Sequence, residues 1–93
     1  MTAKKYQFLL ESFLDEKLSV SDFETRYLAV FKAEPQGMSP DIFKILDQLF
    51  ADVDAYSPYC SPDQENSFRI SEASLRKRAS LALKELEKLL AKH

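Results

Sequence analysis

Hydrophobic residues recur every three or four positions in four segments of the chain, which is the spacing of amphipathic helices. The segments cover residues 3–16, 21–34 and 39–56, and a last one that begins after residue 71. None of them alternates with the two-residue period of a half-buried strand. The pattern therefore predicts an all-α fold.

Capping signals mark the starts of three of these helices. Ser21 has Glu24 three residues later, which is the spacing of a capping box. Ser39 followed by Pro40 fits an N-cap and the first helical position. Ser71 occupies the same capping position before the last helix. The turn at residues 35–37 and the irregular segment 57–70 separate the later helices.

Each predicted helix carries one apolar stripe, and the four stripes require a shared core. Short links favour antiparallel neighbours, so we predict one domain over residues 1–93, an antiparallel four-helix bundle. Phe8 faces away from this core, whereas Phe68 and part of Tyr56 are expected to cover it. The predicted inward residues are Tyr6, Leu9, Leu10, Phe13, Leu14, Phe23, Tyr27, Val30, Phe31, Ile42, Ile45, Leu46, Leu49, Val53, Tyr56, Leu75, Ala79, Ala82, Leu83, Leu86, Leu89 and Leu90.

Charge is distributed unevenly, although the net charge is only −2. Residues 1–68 hold six bases and twelve acids, whereas residues 69–93 hold seven bases and three acids. Between Asp41 and Glu65 there are six acids and a single base, Lys44. The third helix and the segment after it therefore form a candidate surface for a basic partner.

One flank of the third helix alternates aromatic and acidic residues, Phe43, Asp47, Phe50 and Asp54. On a helical wheel this flank lies beside the apolar stripe, and Asp52 falls on the opposite flank. The acids of both flanks are therefore expected to stay outside the core. The following segment adds further acids and tyrosines, which make good contact groups when exposed. The candidate partner-binding residues are Asp47, Phe50, Asp52, Asp54, Tyr56, Tyr59, Asp63 and Glu65.

The chain lacks the residue combinations that catalysis and metal binding require. His93 is the only histidine and the last residue, so Cys60 has no base to activate it and no zinc-ligand spacing occurs. Gly37 is the only glycine, which argues against a glycine-rich phosphate loop. We therefore predict no enzyme activity, no catalytic residue, no cofactor and no metal site.

Several features favour a cytoplasmic protein. No apolar run approaches the ~18 residues of a membrane-spanning helix. The N-terminal residues do not resemble a signal peptide, and the lone Cys60 permits no internal disulfide. We expect no membrane contact.

Three local patterns resemble the family of colicin D immunity proteins and related self-protective colicin-like immunity proteins. They are Ser-Asp-Phe-Glu-Thr-Arg-Tyr at 21–27, Leu-Phe-Ala-Asp-Val-Asp-Ala-Tyr at 49–56, and Ile-Ser-Glu-Ala-Ser-Leu-Arg at 70–76. A Pro-Asp pair at 62–63 lies between the last two. The order and spacing of these patterns extend the resemblance over residues 19–90.

The resemblance implies a four-helix bundle that binds and inactivates the nuclease domain of a cognate toxin in the producing cell. The colicin D toxin is a tRNase that cuts in an anticodon loop. Its immunity protein covers the basic active-site cleft with acidic residues that replace the phosphates of the tRNA. The immunity protein itself is then expected to contact no nucleic acid.

The resemblance covers only some of the candidate site residues. Asp52, Asp54 and Tyr56 lie within one matching pattern, and Asp63 lies in the matching Pro-Asp pair. The proposed roles of the other candidates rest on surface geometry and residue type. The segment departs from the family pattern at Tyr59 and Cys60.

Two other functions remain open at this stage. A small nucleic-acid-binding or regulatory protein could use the basic residues around the start of the last helix. These bases point in three directions, however, and we expect two of them, Arg76 and Arg78, to pair with acids of neighbouring helices. The other members of this basic cluster are Arg69 and Lys77. A self-associating helical subunit, such as a weak homodimer, could use Phe43 and Phe50.

Overall fold

The computed structural model describes residues 2–34, 37–66 and 69–91. The four predicted helices are present as α1 (Thr2–Leu14), α2 (Val20–Lys32), α3 (Pro40–Ala55) and α4 (Glu72–Ala91). A single turn of 3₁₀ helix, Pro62–Gln64, lies in the segment between α3 and α4. Each helix packs against the next in chain order, and α4 closes the ring against α1. The predicted all-α four-helix bundle is confirmed.

The boundaries of α1 and α2 differ from the prediction. α1 ends at Leu14, because Glu16 adopts a left-handed backbone conformation with φ of +62°. α2 is capped by Ser19, whose extended backbone precedes the helix and whose Oγ accepts a hydrogen bond from the Asp22 N–H at 3.1 Å. The predicted cap at Ser21 is wrong, and Ser21 lies inside the first turn.

The starts of α3 and α4 agree with the prediction. Ser39 is the N-cap of α3 and Pro40 its first residue, although the Ser39 side chain makes no capping hydrogen bond. Ser71 precedes α4, and its Oγ accepts a hydrogen bond from the Ser74 N–H at 3.3 Å. At the other end of α3, Tyr56 is the C-cap and already has an extended backbone.

The core is built from aromatic rings of α1 and α2 and aliphatic side chains of α3 and α4. Phe13 stacks on Phe23 with ring centroids 4.1 Å apart, and Tyr6 meets Tyr27 edge to face at 5.8 Å. Every predicted inward residue is buried or partly buried against this core. Phe68, which was expected to cover the core, lies outside the described residues.

Tyr27 is a core residue that also ties two helices together by a buried hydrogen bond to backbone. Its hydroxyl donates to the carbonyl of Leu46 in α3 at 2.7 Å. Burial raises the pKa of Tyr27 well above that of a free tyrosine, with Tyr6 and nearby carboxylates adding to the effect. The hydroxyl therefore keeps its proton and remains a donor at physiological pH.

Replacing Tyr27 by Phe removes this bond while keeping the ring. We expect Tyr27→Phe to lower the free energy of unfolding by about 1 kcal/mol, the usual net worth of a buried hydrogen bond. Urea denaturation followed by circular dichroism measures the change. Tyr59→Phe is the matched control, because Tyr59 is 89% exposed and its hydroxyl has water as an alternative partner. Equal midpoints for Tyr27→Phe and the wild type would contradict the assignment.

Candidate functional site

The predicted partner-binding residues occupy three separate settings in the bundle. Phe50 packs on the side of α3 next to α2, and Asp47 and Asp54 share its flank of the helix. Asp52 faces α4. Tyr56 lies at the end of α3. The remaining candidates, Tyr59, Asp63 and Glu65, lie in the segment that follows, residues 57–66, which we call the acidic loop.

The first setting is an acidic flank formed by Phe43, Asp47, Phe50 and Asp54. The ring of Phe31 in α2 lies 5.8 Å from that of Phe43 and 5.1 Å from that of Phe50. Phe50 is partly buried by this packing, whereas Phe43 stays about half exposed. Asp47 and Asp54 are exposed. The flank therefore presents two open carboxylates and one accessible ring on a helix that is anchored by Phe50.

Asp52 is buried between α3 and α4, with only 7% of its surface exposed. Its Oδ1 accepts a hydrogen bond from Arg78 Nη1 at 2.6 Å, and the Gln48 side-chain amide approaches the same oxygen at 3.5 Å. The expectation that the acids of α3 lie outside the buried face is therefore wrong for Asp52. On the helix, Asp52 lies beside Ile45 at the edge of the apolar stripe, and α4 packs over that edge.

Arg78 and Arg76 are both engaged within the bundle. The expected pairing of Arg78 with an acid of a neighbouring helix is confirmed by Asp52. Arg76 instead pairs with Glu72 of its own helix at 2.9 Å, so the expected cross-helix acid is wrong for Arg76. Its contact with α1 is to Phe13, whose carbonyl accepts from Nη1 at 3.0 Å and whose ring lies 4.4 Å below the guanidinium.

Glu65 fastens the acidic loop to the first turn of α4. One carboxylate oxygen accepts hydrogen bonds from the backbone N–H of Ser71, at 2.8 Å, and from the Ser71 hydroxyl. The other oxygen accepts from the Ser74 hydroxyl at 2.8 Å. The side-chain bonds from Ser71 and Ser74, followed by the Ser71 backbone bond, lower the pKa of Glu65 to about 2. We call this group of bonds the Glu65 latch.

Backbone hydrogen bonds hold the acidic loop at its base. The Ser57 N–H donates to the Ile70 carbonyl at 3.1 Å, and the Ile70 N–H donates to the Ala55 carbonyl at 2.9 Å. These bonds join the start of α4 to the end of α3 independently of the latch. The loop is thus attached on both sides of its exposed part.

The exposed part of the acidic loop carries Tyr59 and Asp63. Tyr59 is 89% exposed, whereas the neighbouring Cys60 is buried. Asp63 lies in the 3₁₀ turn, and a hydrogen bond from the Ser61 hydroxyl lowers the pKa of its carboxyl. The loop therefore presents a phenol and an ionised carboxylate from a constrained backbone.

Tyr56 lies near two further acids at this end of the bundle, Glu24 and Glu72. Its side chain is partly buried, and burial together with the charges of Glu72 and Glu24 raises the pKa of its phenol. Glu24 lies near the start of α2 and Glu72 in the first turn of α4, and sequence reasoning did not include them in the candidate site. The antiparallel order was the signal that could have found them, because it places those two helix starts beside the end of α3.

An open groove of about 680 Å³ lies between α3 and α4, and two of the candidate acids, Asp47 and Asp52, contribute to its lining. Its lining mixes charges of both signs, including Lys44, Asp52, Arg78 and Glu85. Within residues 2–34, 37–66 and 69–91, no cluster of histidine, cysteine or acidic side chains could hold a metal ion. No helix in those ranges is long and apolar enough to cross a membrane.

The fold is a four-helix bundle with exposed acids and aromatic rings on α3 and in the acidic loop. A family model described as bacterial self-protective colicin-like immunity matches residues 1–86. The chain therefore belongs to the bacterial self-protective colicin-like immunity family. Membership supports a function in bacteriocin immunity, in which a protein of this kind binds a cognate toxin. Searches of curated proteins and of solved structures returned no match.

The Glu65 latch predicts a pH-dependent contribution to stability. Because the folded-state pKa is depressed, the contribution is present above the ordinary glutamate pKa of about 4.5 and is lost as pH falls towards about 2. We expect Glu65→Gln to lower the melting temperature at pH 7, with the difference from wild type shrinking between pH 4.5 and pH 2. Thermal melts followed by circular dichroism measure it. Glu87→Gln, an exposed change on α4, is the control. A difference that stays constant over this pH range would contradict the latch.

The buried carboxylate of Asp52 predicts a strong response to loss of its partner. Arg78→Gln leaves that charge without a cation, and we expect the free energy of unfolding to fall by about 2 kcal/mol. Adding Asp52→Asn removes the stranded charge, so the double variant should recover part of the loss. Urea denaturation of the two single variants and the double variant gives the coupling energy. Lys77→Gln is the matched control because Lys77 is exposed on the same turn. Additive effects would show that the pair is not coupled.

Proposed function

We propose that this chain is an immunity protein that binds the basic, RNA-cleaving domain of a cognate toxin and blocks its active-site cleft. We further propose that the toxin is a tRNase and that the acidic surface of the immunity protein occupies the positions of RNA phosphates. Inhibition would take place in the cytoplasm of the producing cell, where the tRNA substrate is found. The proposal rests on family membership and on one structural observation, the open carboxylates on rigid supports.

The open carboxylates are those of Asp47, Asp54 and Asp63, all of which are exposed. The first two project from α3, which packs against both α2 and α4. Asp63 projects from a loop held by the Glu65 latch. Carboxylate oxygens are good acceptors for arginine and lysine, as phosphate oxygens are. Because their supports are already ordered, little conformational entropy is lost when a basic cleft closes on them.

The remaining candidates have supporting positions within this proposal. Phe50 anchors the acidic flank to α2, and Asp52 holds α3 against α4 through Arg78. Tyr56 ends α3, and Glu65 fixes the loop. Among the candidate residues, Tyr59 has the aromatic side chain most open to the toxin, with 89% of its surface exposed. We therefore assign direct contact to Tyr59 and the three open acids.

The charge of the surface also favours rapid association. An acidic face opposite a basic cleft increases the encounter rate, and this advantage falls as salt screens the charges. Rapid capture is valuable when one active nuclease molecule can cut many RNA molecules. The nucleic-acid-binding alternative loses support, because two of its four cations, Arg76 and Arg78, already pair with acids of the same chain.

The test is capture of the toxin with the tagged protein. The bait is expressed with the polypeptide encoded beside it, and the recovered partner is incubated with tRNA. We expect a basic nuclease domain whose tRNA cleavage stops at equimolar immunity protein. Recovery of a partner that does not cleave RNA would overturn the nuclease proposal. Cleavage of another RNA but not tRNA would overturn only the tRNase assignment.

Charge reversal on the acidic surface should weaken toxin binding without unfolding the bundle. We expect Asp54→Lys to raise the dissociation constant for the captured nuclease domain by at least about thirtyfold, and Asp63→Lys to shift it in the same direction. Titration calorimetry measures the affinity, and circular dichroism verifies the fold. Glu87→Lys is the matched control, because Glu87 is an exposed acid of α4 far along the helix from the loop. Wild-type affinity in both variants would exclude this surface.

A further inference from the structure

A second groove, between α1 and α2, has an apolar floor. It encloses about 520 Å³, and Leu9, Leu18 and Val30 contribute to its lining. Phe8 borders it and is 71% exposed. We call this feature the α1–α2 groove. It is distinct from the acidic flank and from the groove between α3 and α4.

The charged residues that line the α1–α2 groove are all basic. They are Lys5, Lys17 and Arg26, and no acidic residue contributes to the lining. Lys5 is partly neutralised by Glu34, which lies 3.0 Å from its amino group. In the described part of the chain, Lys17 and Arg26 take part in no ion pair. The groove therefore suits an occupant that combines an apolar or aromatic side chain with carboxylates.

The acidic loop of the same protein has this chemistry. Residues 57–66 contain no base, and Tyr59 projects from them with 89% of its surface exposed. Pro58 precedes this tyrosine, and the ionised carboxylate of Asp63 follows in the next turn. A tyrosine side chain has only two torsions to fix, so it loses little conformational freedom when it is buried at an interface.

The loop is fastened to α3 and α4 by the Ser57–Ile70 backbone bond and by the Glu65 latch. The groove belongs to α1 and α2. We propose that the acidic loop of one molecule docks into the α1–α2 groove of a second molecule, with Tyr59 on the apolar floor and Asp63 near the basic rim. This inference stands on the loop and the groove alone and does not depend on the toxin.

The contact joins two different surfaces, the loop of one molecule and the groove of the next. A chain of molecules therefore always has one free groove at one end and one free loop at the other. Such a head-to-tail interface does not stop at a dimer unless its geometry closes a ring. A single loop buries little area, which places the association among weak interactions. The dependence on charge means that salt weakens it.

Sedimentation equilibrium over a wide range of protein concentration tests the proposal. For the wild type we expect an average mass that rises with concentration and falls when NaCl is raised from 0.05 to 0.5 M. Tyr59→Ser removes the loop anchor, and Phe8→Ser removes the edge of the groove. Each variant alone should have a dissociation constant at least tenfold higher than that of the wild type.

Mixing the two variants gives the sharpest test. The Phe8→Ser protein keeps an intact loop and the Tyr59→Ser protein keeps an intact groove, so together they form one complete interface. We expect the mixture to regain association but to stop at a one-to-one heterodimer. Leu81→Ser is the matched control, since Leu81 is an apolar side chain 54% exposed outside both surfaces, and it should associate like the wild type.

Three results would overturn the proposal. One is a wild type that remains monomeric at every concentration. Another is a mixture of the two variants that associates no better than either alone. The third is loss of association in Phe43→Ser with wild-type behaviour in Tyr59→Ser, which would place self-association on the acidic flank instead. Circular dichroism of each variant verifies that the bundle is folded.

Discussion

A chain of 93 residues must bury the apolar stripes of four helices in one small core, and this constraint governs the rest of the structure. The largest fully buried side chains are aromatic rings of α1 and α2, with Phe13 stacked on Phe23. Charged groups are left at the margins of the core. There they either pair across helices or remain open to solvent, and this division separates structural acids from acids available to a partner.

Asp52 and Glu65 belong to the structural group. Asp52 meets Arg78 at the border of the core, where leaving either charge unpaired is costly. Glu65 accepts three hydrogen bonds at the start of α4, where its charge also complements the positive end of the helix dipole. Together the two acids hold α3, α4 and the loop in place.

The helices and their inward faces could be predicted from the sequence because burial follows the helical period. The start of α2 could not, since Ser19 and Ser21 each have an acid three residues later. Only the backbone shows that the extended conformation ends at Ser19. The chemistry of the capping residue alone does not choose between two such candidates.

The candidate site was harder to predict than the fold. A helical wheel places Asp52 beside the apolar stripe but does not reveal which neighbouring helix covers that border. The roles of Arg76 and Glu65 depend on contacts between residues distant in the sequence or across a loop, with Phe13 in one case and Ser74 in the other. By contrast, the exposure of Asp47 and Asp54 follows from their wheel positions alone.

Order in the acidic loop is the property that connects the fold to recognition. A loop without regular structure normally loses conformational entropy when it binds, and that cost weakens the complex. Here most of this conformational entropy is already lost on folding, because Glu65 and the Ser57–Ile70 bond restrain the segment. Tyr59 can therefore remain exposed without being free to adopt many backbone positions. A partner that fits this arrangement gains the contact energy of the tyrosine and Asp63 with little ordering cost, whether that partner is a toxin or a second copy of the chain.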